Sequence, residues 1–276
     1  METVPGETVL RALFGDYGSV AVAFSGGVDS SVVLAVAAEE LGKERVLAVT
    51  AAGETSVEDE VAVARRFARS LDVRHEVIAT NELDLPAFAE NPPDRCFVCK
   101  QELFGHVQAL AAAGGFATVL DGANADDLGD FRPGITAADL AGVRHPLVEA
   151  RMGKQAVRAL ARKLGLEHWA RPATACLSSR FPYGERITVE KLAMVREAEA
   201  FLRTLGFSEF RVRHHGRLAR IEVPLEEIGR LVEATARTGV VRRFKDLGYA
   251  YVCVDIEGFR SGSMNEVLPA DGGLLL

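Results

Sequence analysis

Several things are scarce in this chain, and each scarcity excludes something. Cysteine occurs only four times in 276 residues, at Cys96, Cys99, Cys176 and Cys253. That is too few to staple a chain of this size, so thiols, metal ligands or catalysts are expected rather than a disulfide framework. No apolar run reaches the roughly 18 residues that span a bilayer, so no membrane role is expected. The first residues, METVPGETVLRALFGDYGS, carry early acids and no long apolar stretch, which is not the pattern of a signal peptide. The expectation is a cytoplasmic protein. Positive charge is also in deficit: the net charge is -7, which argues against nucleic acid as a partner, because phosphate neutralisation supplies most of that affinity. What the chain does have is 48% hydrophobic residues, enough for substantial cores in two domains or one large one.

The apolar segments have a readable order. SVAVAF (19–24) is short, apolar and closed by glycines, which predicts a buried strand. Residues 29–41 predict a helix capped by Asp29 or Ser30. RVLAVTA and VRHEVIAT predict two further strands around an acidic amphipathic helix, whose SVEDE acids and Arg65–Arg66 pair are expected to be solvated. Residues 99–113 predict a helix, and FATVLDGAN a fourth strand ending in a turn. Strands alternating with helices imply an α/β fold with a parallel sheet covered on both faces. This domain is expected over 1–170, followed by a loop or linker over 171–187. A small α+β domain with an antiparallel sheet follows over 188–260, and a poorly ordered tail over 261–276. Cys253, inside YVCVDI, is expected to be an inert buried strand residue.

SGGVDSS (25–31) sits between the first predicted strand and its helix. N–H groups at a helix start lack intrahelical partners, and the helix dipole favours an anion there. Gly26 and Gly27 let that anion approach the backbone, and Ser25, Ser30 and Ser31 add donors. No lysine is present in this loop. Asp29 stands there instead, and a carboxylate beside phosphates implies a bridging Mg2+. In this context the loop resembles the PP-loop of N-type ATP pyrophosphatases. That resemblance implies cleavage of ATP between its α and β phosphates, adenylation of an acceptor oxygen and release of pyrophosphate. It also explains the missing lysine, since the loop holds a leaving pyrophosphate.

The cysteines bear on the nucleophile. CFVC places Cys96 and Cys99 at C-x-x-C spacing in the turn-rich NPPDRCFVCK, and Cys176 lies in PATACLSSR. A zinc site would need a fourth ligand from His106 or His145. Three thiolates suit a 4Fe–4S cluster with one open iron. Alternatively Cys176 acts alone, helped by Arg171 and Arg180 if they fold close. Further on, Arg211 and Arg213 alternate on a predicted strand and share one face, where two guanidiniums can grip a phosphate or simply face water. Arg180 is grouped with them as a phosphate contact. LDGANADDLGD ends a strand at the ligand-binding edge of an open α/β sheet. Asp121 and Gly122 are expected near the nucleotide, Asp126 and Asp127 near Mg2+ or a substrate group, and Thr50 near the adenine.

Taken in order, SGGVDSS, NPPDRCFVCK, LDGANADDLGDFRPG, RPATACLSSRFPYGERIT and FRVRHHGRLARIE resemble the LarE family over nearly the whole chain. Those proteins are sulfur transferases of nickel-pincer nucleotide cofactor synthesis. The resemblance implies a nucleotide substrate, pyridinium-3,5-biscarboxylic acid mononucleotide, whose carboxylates are adenylated by ATP and converted to thiocarboxylates. It further implies that the RVR segment binds the substrate phosphate, and that the protein is a homo-oligomer, a hexamer. One form of the family consumes a cysteine, at the position of Cys176. The other holds a cluster on three cysteines, for which Cys96, Cys99 and Cys176 match. The rivals are a tRNA thiolase, which would need a basic surface, and an ammonia-using amidotransferase, which gives the cysteines no role. A non-catalytic nucleotide-binding module is the third.

Overall fold

The computed structural model describes residues 4–56, 58–129, 133–171, 175–260 and 262–268, without the side chains of 58 and 59. The SVEDE acids and the tail beyond 268 therefore lie wholly or partly outside the described residues. So do parts of the LDGANADDLGDFRPG and RPATACLSS motifs. The chain forms two units, Met1–Asn81 with Asp94–Thr174, and Glu82–Pro93 with Ala175–Leu276. The second thus takes in a segment from within the span read as the first domain.

The first unit runs α1 (Glu7–Tyr17), β1 (Val20–Ala23), α2 (Val28–Leu41), β2 (Val46–Ala52), α3 (Glu58–Ser70) and β3 (Arg74–Ala79). After α4 (Pro86–Ala89), which belongs to the second unit, come α5 (Arg95–Gly114), β4 (Thr118–Leu120), α6 (Pro133–Leu140), α7 (Pro146–Glu149) and α8 (Lys154–Lys163). The four strands pair in parallel in the order β3-β2-β1-β4. Alternate side chains leave a strand on opposite faces. Accordingly Val20 and Val22 of β1 join a core with α1, α2 and α8, while Ala21, with Leu47 and Val49 of β2, joins a second core with α5 and α6. Both faces are buried, which is why these strands read as continuous apolar runs. Each buried Val or Leu contributes about 1.5–3 kcal/mol.

Two boundaries differ from the sequence reading. The residue capping α2 is Gly27, in an extended conformation, with no side-chain cap, so Asp29 and Ser30 lie inside the first turn. α5 begins at Arg95, just after Pro92-Pro93-Asp94 and four residues before the expected start at 99, so Cys96 stands with Cys99 in the first turns of this helix. Arg65 and Arg66 are exposed, as expected.

The second unit contains α9 (Val189–Thr204), β5 (Arg211–His215), β6 (Leu218–Glu222), α10 (Ile228–Val232), α11 (Ala234–Asp246) and β7 (Tyr251–Val254). Its core joins Ala198 and Leu202 of α9 to Val212, Ala219, Ile221, Phe244 and Tyr249. The sheet is mixed rather than antiparallel. β5 and β6 form an antiparallel hairpin, but β7 lies parallel to β6. The chain between β6 and β7 carries two helices, and a crossover of that length is what a parallel pairing requires. Cys253 is exposed, contrary to the expectation of burial. In Tyr-Val-Cys-Val the period of two places Cys253 on the outer face with Tyr251, while Val252 and Val254 pack on the core.

The segment 82–93 is stitched into this second unit by backbone bonds. Ile187 N donates to Ala89 O at 2.7 Å, and Gly184 N to Asn91 O at 2.9 Å. Asn91 is fully buried with φ 58, and its amide donates to Phe181 O at 3.3 Å and Pro182 O at 2.7 Å.

Candidate active site

In the first unit the phosphate loop leaves β1 at Phe24, whose N donates to Val49 O at 2.8 Å. Gly26 has φ 76, and a Cβ there would meet Glu60 O and Ala64 of α3 at 3.3–3.4 Å. Backbone conformation and space both call for glycine. The first helical bond of α2 runs from Ser31 N to Gly27 O, so the N–H groups of Val28, Asp29 and Ser30 precede the helical ladder. Ser30 Oγ donates to Gly27 O at 3.2 Å, which uses its proton. Ser25 Oγ therefore donates to Ser30 Oγ at 3.1 Å, while accepting from Gly27 N at 3.3 Å. Ser25 and Gly27 are exposed at the mouth of this turn.

The loop after β4 forms the facing wall. A Cβ on Gly122 would lie 2.8 Å from Ser30 N, so the two loops touch backbone to backbone. Asn124 is fully buried, and its amide reaches Asp29 Oδ2 at 3.4 Å. Its N–H donates to Asp127 Oδ2 at 3.1 Å, and its Oδ1 accepts from Asp126 N at 3.0 Å. Burial pushes the Asp29 carboxyl above its ordinary range and the charge of Asp127 adds to this, while Asn124, Lys154 and Arg158 act in the opposite direction. Asp29 and Asp127 thus repel one another, with Lys154 Nζ 4.0 Å from Asp127 Oδ1, and two neighbouring carboxylates are a donor set that suits a hard cation. Asp126 instead accepts Lys154 N at 2.8 Å, capping α8.

Two other predicted residues serve the loop from behind. Thr50, 3% exposed, donates its only hydroxyl proton to Phe24 O at 2.7 Å. It must therefore accept from His75 Nε2, 2.8 Å away, which fixes the tautomer of that ring. Ser31 is fully buried, with its hydroxyl 2.9 Å from His168 Nε2. Its side chain therefore faces the interior of the first unit.

In the second unit Cys176 is exposed and precedes a single 3-10 turn, Leu177–Arg180. Arg180, 1% exposed, grips Glu199 of α9 by two bonds at 2.8 and 3.0 Å. Its remaining nitrogen donates to the carbonyls of Ala175 at 2.9 Å and Cys176 at 3.1 Å, and to Ser179 Oγ at 2.8 Å. These bonds go to the backbone of the cysteine segment. Arg213 grips Glu222 at 2.9 and 2.7 Å and donates to Ser179 O at 2.7 Å. Arg211 donates to Phe210 O at 2.7 Å and lies over the ring of Phe259. Burial, and then the charges of Arg180 and Arg213, lower its pKa to about 10. Three predicted phosphate contacts do converge, and two of them already hold internal carboxylates.

Residues 7–204 match the asparagine synthase family model. The chain is 40% identical over 262 residues to the pyridinium-3,5-bisthiocarboxylic acid mononucleotide synthase of Lactiplantibacillus plantarum, covering 95% of this chain and 94% of the other. It is 46% identical over 259 residues to an uncharacterized protein of Synechocystis sp., covering 94% and 96%. The chain belongs to the LarE family. It is therefore an ATP-dependent enzyme of the PP-loop class. The NH(3)-dependent NAD(+) synthetase of Chlorobaculum tepidum matches only 28% of the chain, at 36% identity. The likeness to that synthetase is thus confined to about a quarter of the chain.

For a LarE-family enzyme the division of residues is clear. Ser25, Gly26, Gly27, Asp29, Ser30, Thr50 and Gly122 come together in the first unit, where Cys96 and Cys99 also stand; Cys176, Arg180, Arg211 and Arg213 stand in the second. Within neither unit do three His, Cys, Asp or Glu side chains gather to hold a metal ion, among the described residues. Sequence reasoning missed Asn124, Lys154, Arg158, Glu199 and Glu222. Asn124 was open to discovery, as an amide between Asp121 and Asp126 in DGANADD. Glu199 and Glu222 were not, because an acid on a helix or strand gives no local sign of a buried arginine partner.

Proposed function

We propose that this protein adenylates the carboxylates of pyridinium-3,5-biscarboxylic acid mononucleotide and converts them to thiocarboxylates. The observation that carries the reading is the joining of Asp29, through the Asn124 amide, to the loop of Asp127 beside the unpartnered N–H groups of residues 28–30, in a chain 40% identical over 95% of its length to a synthase of the bisthiocarboxylic product. Asp29 and Asp127 would hold Mg2+, which offsets phosphate charge at the leaving pyrophosphate. The backbone N–H groups of residues 28–30 bind the β and γ phosphates, and Ser25, exposed at the mouth of the turn, joins them once its hydroxyl turns from Ser30 to the phosphate. Lys154 and Arg158, on one face of α8 at i, i+4, supply the positive charge that the loop lacks. A substrate carboxylate oxygen attacks the α phosphorus, and the bond to the β-phosphate bridging oxygen breaks. Sulfur then attacks the acyl carbon and AMP leaves.

Arg211, crowded by two guanidiniums whose charge Glu199 and Glu222 largely offset, is the strongest candidate for the substrate phosphate. Arg180 and Arg213 keep it in place and fix the backbone beside Cys176. For the sulfur, Cys96 and Cys99 share one helical turn at i, i+3, which suits two ligands of one cluster, with Cys176 as the third. When bound, a 4Fe–4S cluster supplies the attacking sulfide. The second reading rests on the exposure of Cys176. Its thiolate attacks the adenylate, and loss of the Cα proton with cleavage of the Cβ–S bond then leaves dehydroalanine and the thiocarboxylate. The protein is further proposed to be a hexamer, which native mass spectrometry checks.

The deciding assay measures pyrophosphate released from MgATP in the presence of the pyridinium substrate; no release sinks the reading. Anaerobic purification should yield iron and acid-labile sulfide. Iron-free protein that loses the mass of one hydrogen sulfide at Cys176 after one turnover establishes the sacrificial route instead.

A further inference from the structure

We propose that His145, as an imidazolium, is a positioning residue that clamps the loop after β4 against the phosphate loop and so sets the affinity for the nucleotide. The inference rests on the reading of that loop as the ATP site. His145 precedes α7 and is 8% exposed. Its Nδ1 lies 2.7 Å from Asp121 Oδ1, and its Nε2 lies 3.1 Å from Asp139 Oδ1 of α6. A neutral imidazole has one N–H and one lone pair. Either neutral tautomer would set a lone pair against a carboxylate oxygen. Only the doubly protonated ring donates to both.

The clamp leads directly to the site. Asp121 Oδ1 also accepts Ala123 N at 3.0 Å, which closes the turn through Gly122. Gly122 rests on the Ser30 backbone, and Asn124 reaches Asp29. The ring therefore holds, through one carboxylate, the wall that holds the phosphate loop. Asp121 stands on the strand exit, Asp139 on a separate helix, and both are drawn to one cation.

The charged groups nearby are otherwise engaged. Arg144 donates to Glu149 at 2.8 Å, across α7. On the 3-10 turn that packs against α7, Asp126 accepts Lys154 N and Asp127 accepts Asn124 N. On α1, Tyr17 lies under Arg144, whose proton Asp16 also helps to hold. The bond to Asp121 raises the His145 pKa above the ordinary 6.5, against burial, with Asp139 adding to it. A raised histidine pKa means that the clamp is present below the unfolded value and is lost as pH rises through the folded one.

The test uses the full chain and three readouts across neutral to alkaline pH. These are ring titration of His145 by NMR, hydrogen exchange of the Ala123 and Asn124 amides, and the Kd for MgATP. The expected result is titration above 6.5 and, after correction for base catalysis, about a tenfold loss of amide protection over the same range. The MgATP Kd should rise several-fold in step. Asp139 is 63% exposed in its side chain, so Asp139→Asn should fold normally and move the midpoint down. His145→Gln should raise Kd at every pH and abolish its dependence in that range. Titration at or below 6.5, protection that stays constant through it, or His145→Gln binding like wild type overturns the proposal. Wild type that binds no MgATP at any pH defeats the nucleotide reading instead, and the ring titration and exchange still decide the clamp.

Discussion

Gly122 is the residue with the least freedom at the site. Its missing Cβ would sit 2.8 Å from Ser30 N, a backbone atom that cannot swing aside. Gly122→Ala should therefore destabilise the fold by about 1–3 kcal/mol, as overpacking does, and weaken MgATP binding; thermal unfolding and calorimetry read the two effects. Asp29 predicts a split outcome. Its carboxyl is held above its usual range by burial and by Asp127, so its charge costs stability above that raised pKa and not below the unfolded value. Asp29→Asn should raise the melting temperature of the ligand-free protein at neutral pH while abolishing magnesium-dependent nucleotide binding. A variant that melts lower would contradict the assigned electrostatics. Arg180 and Glu199, with side chains 2% and 5% exposed, should behave as a buried pair. Arg180→Met strands a carboxylate and should cost about 3–5 kcal/mol, whereas the double change Arg180→Met with Glu199→Met should recover much of it. Denaturant melts of the singles and the double give the coupling directly.

Among elements, the short segment around α4 has the clearest energetic consequence. Asn91 combines φ 58 with two side-chain bonds to the carbonyls of Phe181 and Pro182. Asn91→Ala loses the bonds and keeps the strain, and should cost about 2–3 kcal/mol. Asn91→Gly relieves the backbone but still loses the bonds, so its cost in the same urea titration should be smaller. The sequence made some elements legible and hid others for identifiable reasons. β1 and β2 were readable because both faces of the sheet are covered, which leaves an uninterrupted apolar signal. The mixed second sheet was not, since the direction of β7 depends on the crossover and not on its own four residues. Glycine, not Asp29 or Ser30, caps α2 because the helix already begins at Val28, which puts both of those residues inside its first turn. The start of α5 was masked by two prolines and an aspartate, which end one structure and begin the next in the same letters.

At the scale of the whole molecule, thiol accessibility is a direct check. With Cys253 exposed on an outer strand face, native protein should react there with a thiol reagent, and Cys253→Ser should lower the count of fast thiols by one without changing pyrophosphate release. Cys176→Ala should leave MgATP binding intact and abolish formation of the thiocarboxylate. The strand, turn and helix of the candidate nucleotide site were largely visible in SGGVDSS and GANADD, because such a turn is set by its local sequence context. The arginine cluster was visible as charge and not as geometry, since Arg180 and Arg213 are fixed by Glu199 and Glu222, acids that carry no local mark of their partners. Least visible was where residues 82–93 belong. They are hydrogen bonded to 181–187, about 90 positions later in the chain. On the ribosome, a nascent polypeptide that has just delivered α8 still carries those residues as an unmatched insertion. It must keep Asn91 and its neighbours from pairing elsewhere until the tyrosine of FPYG and the turn after it have emerged from the exit tunnel.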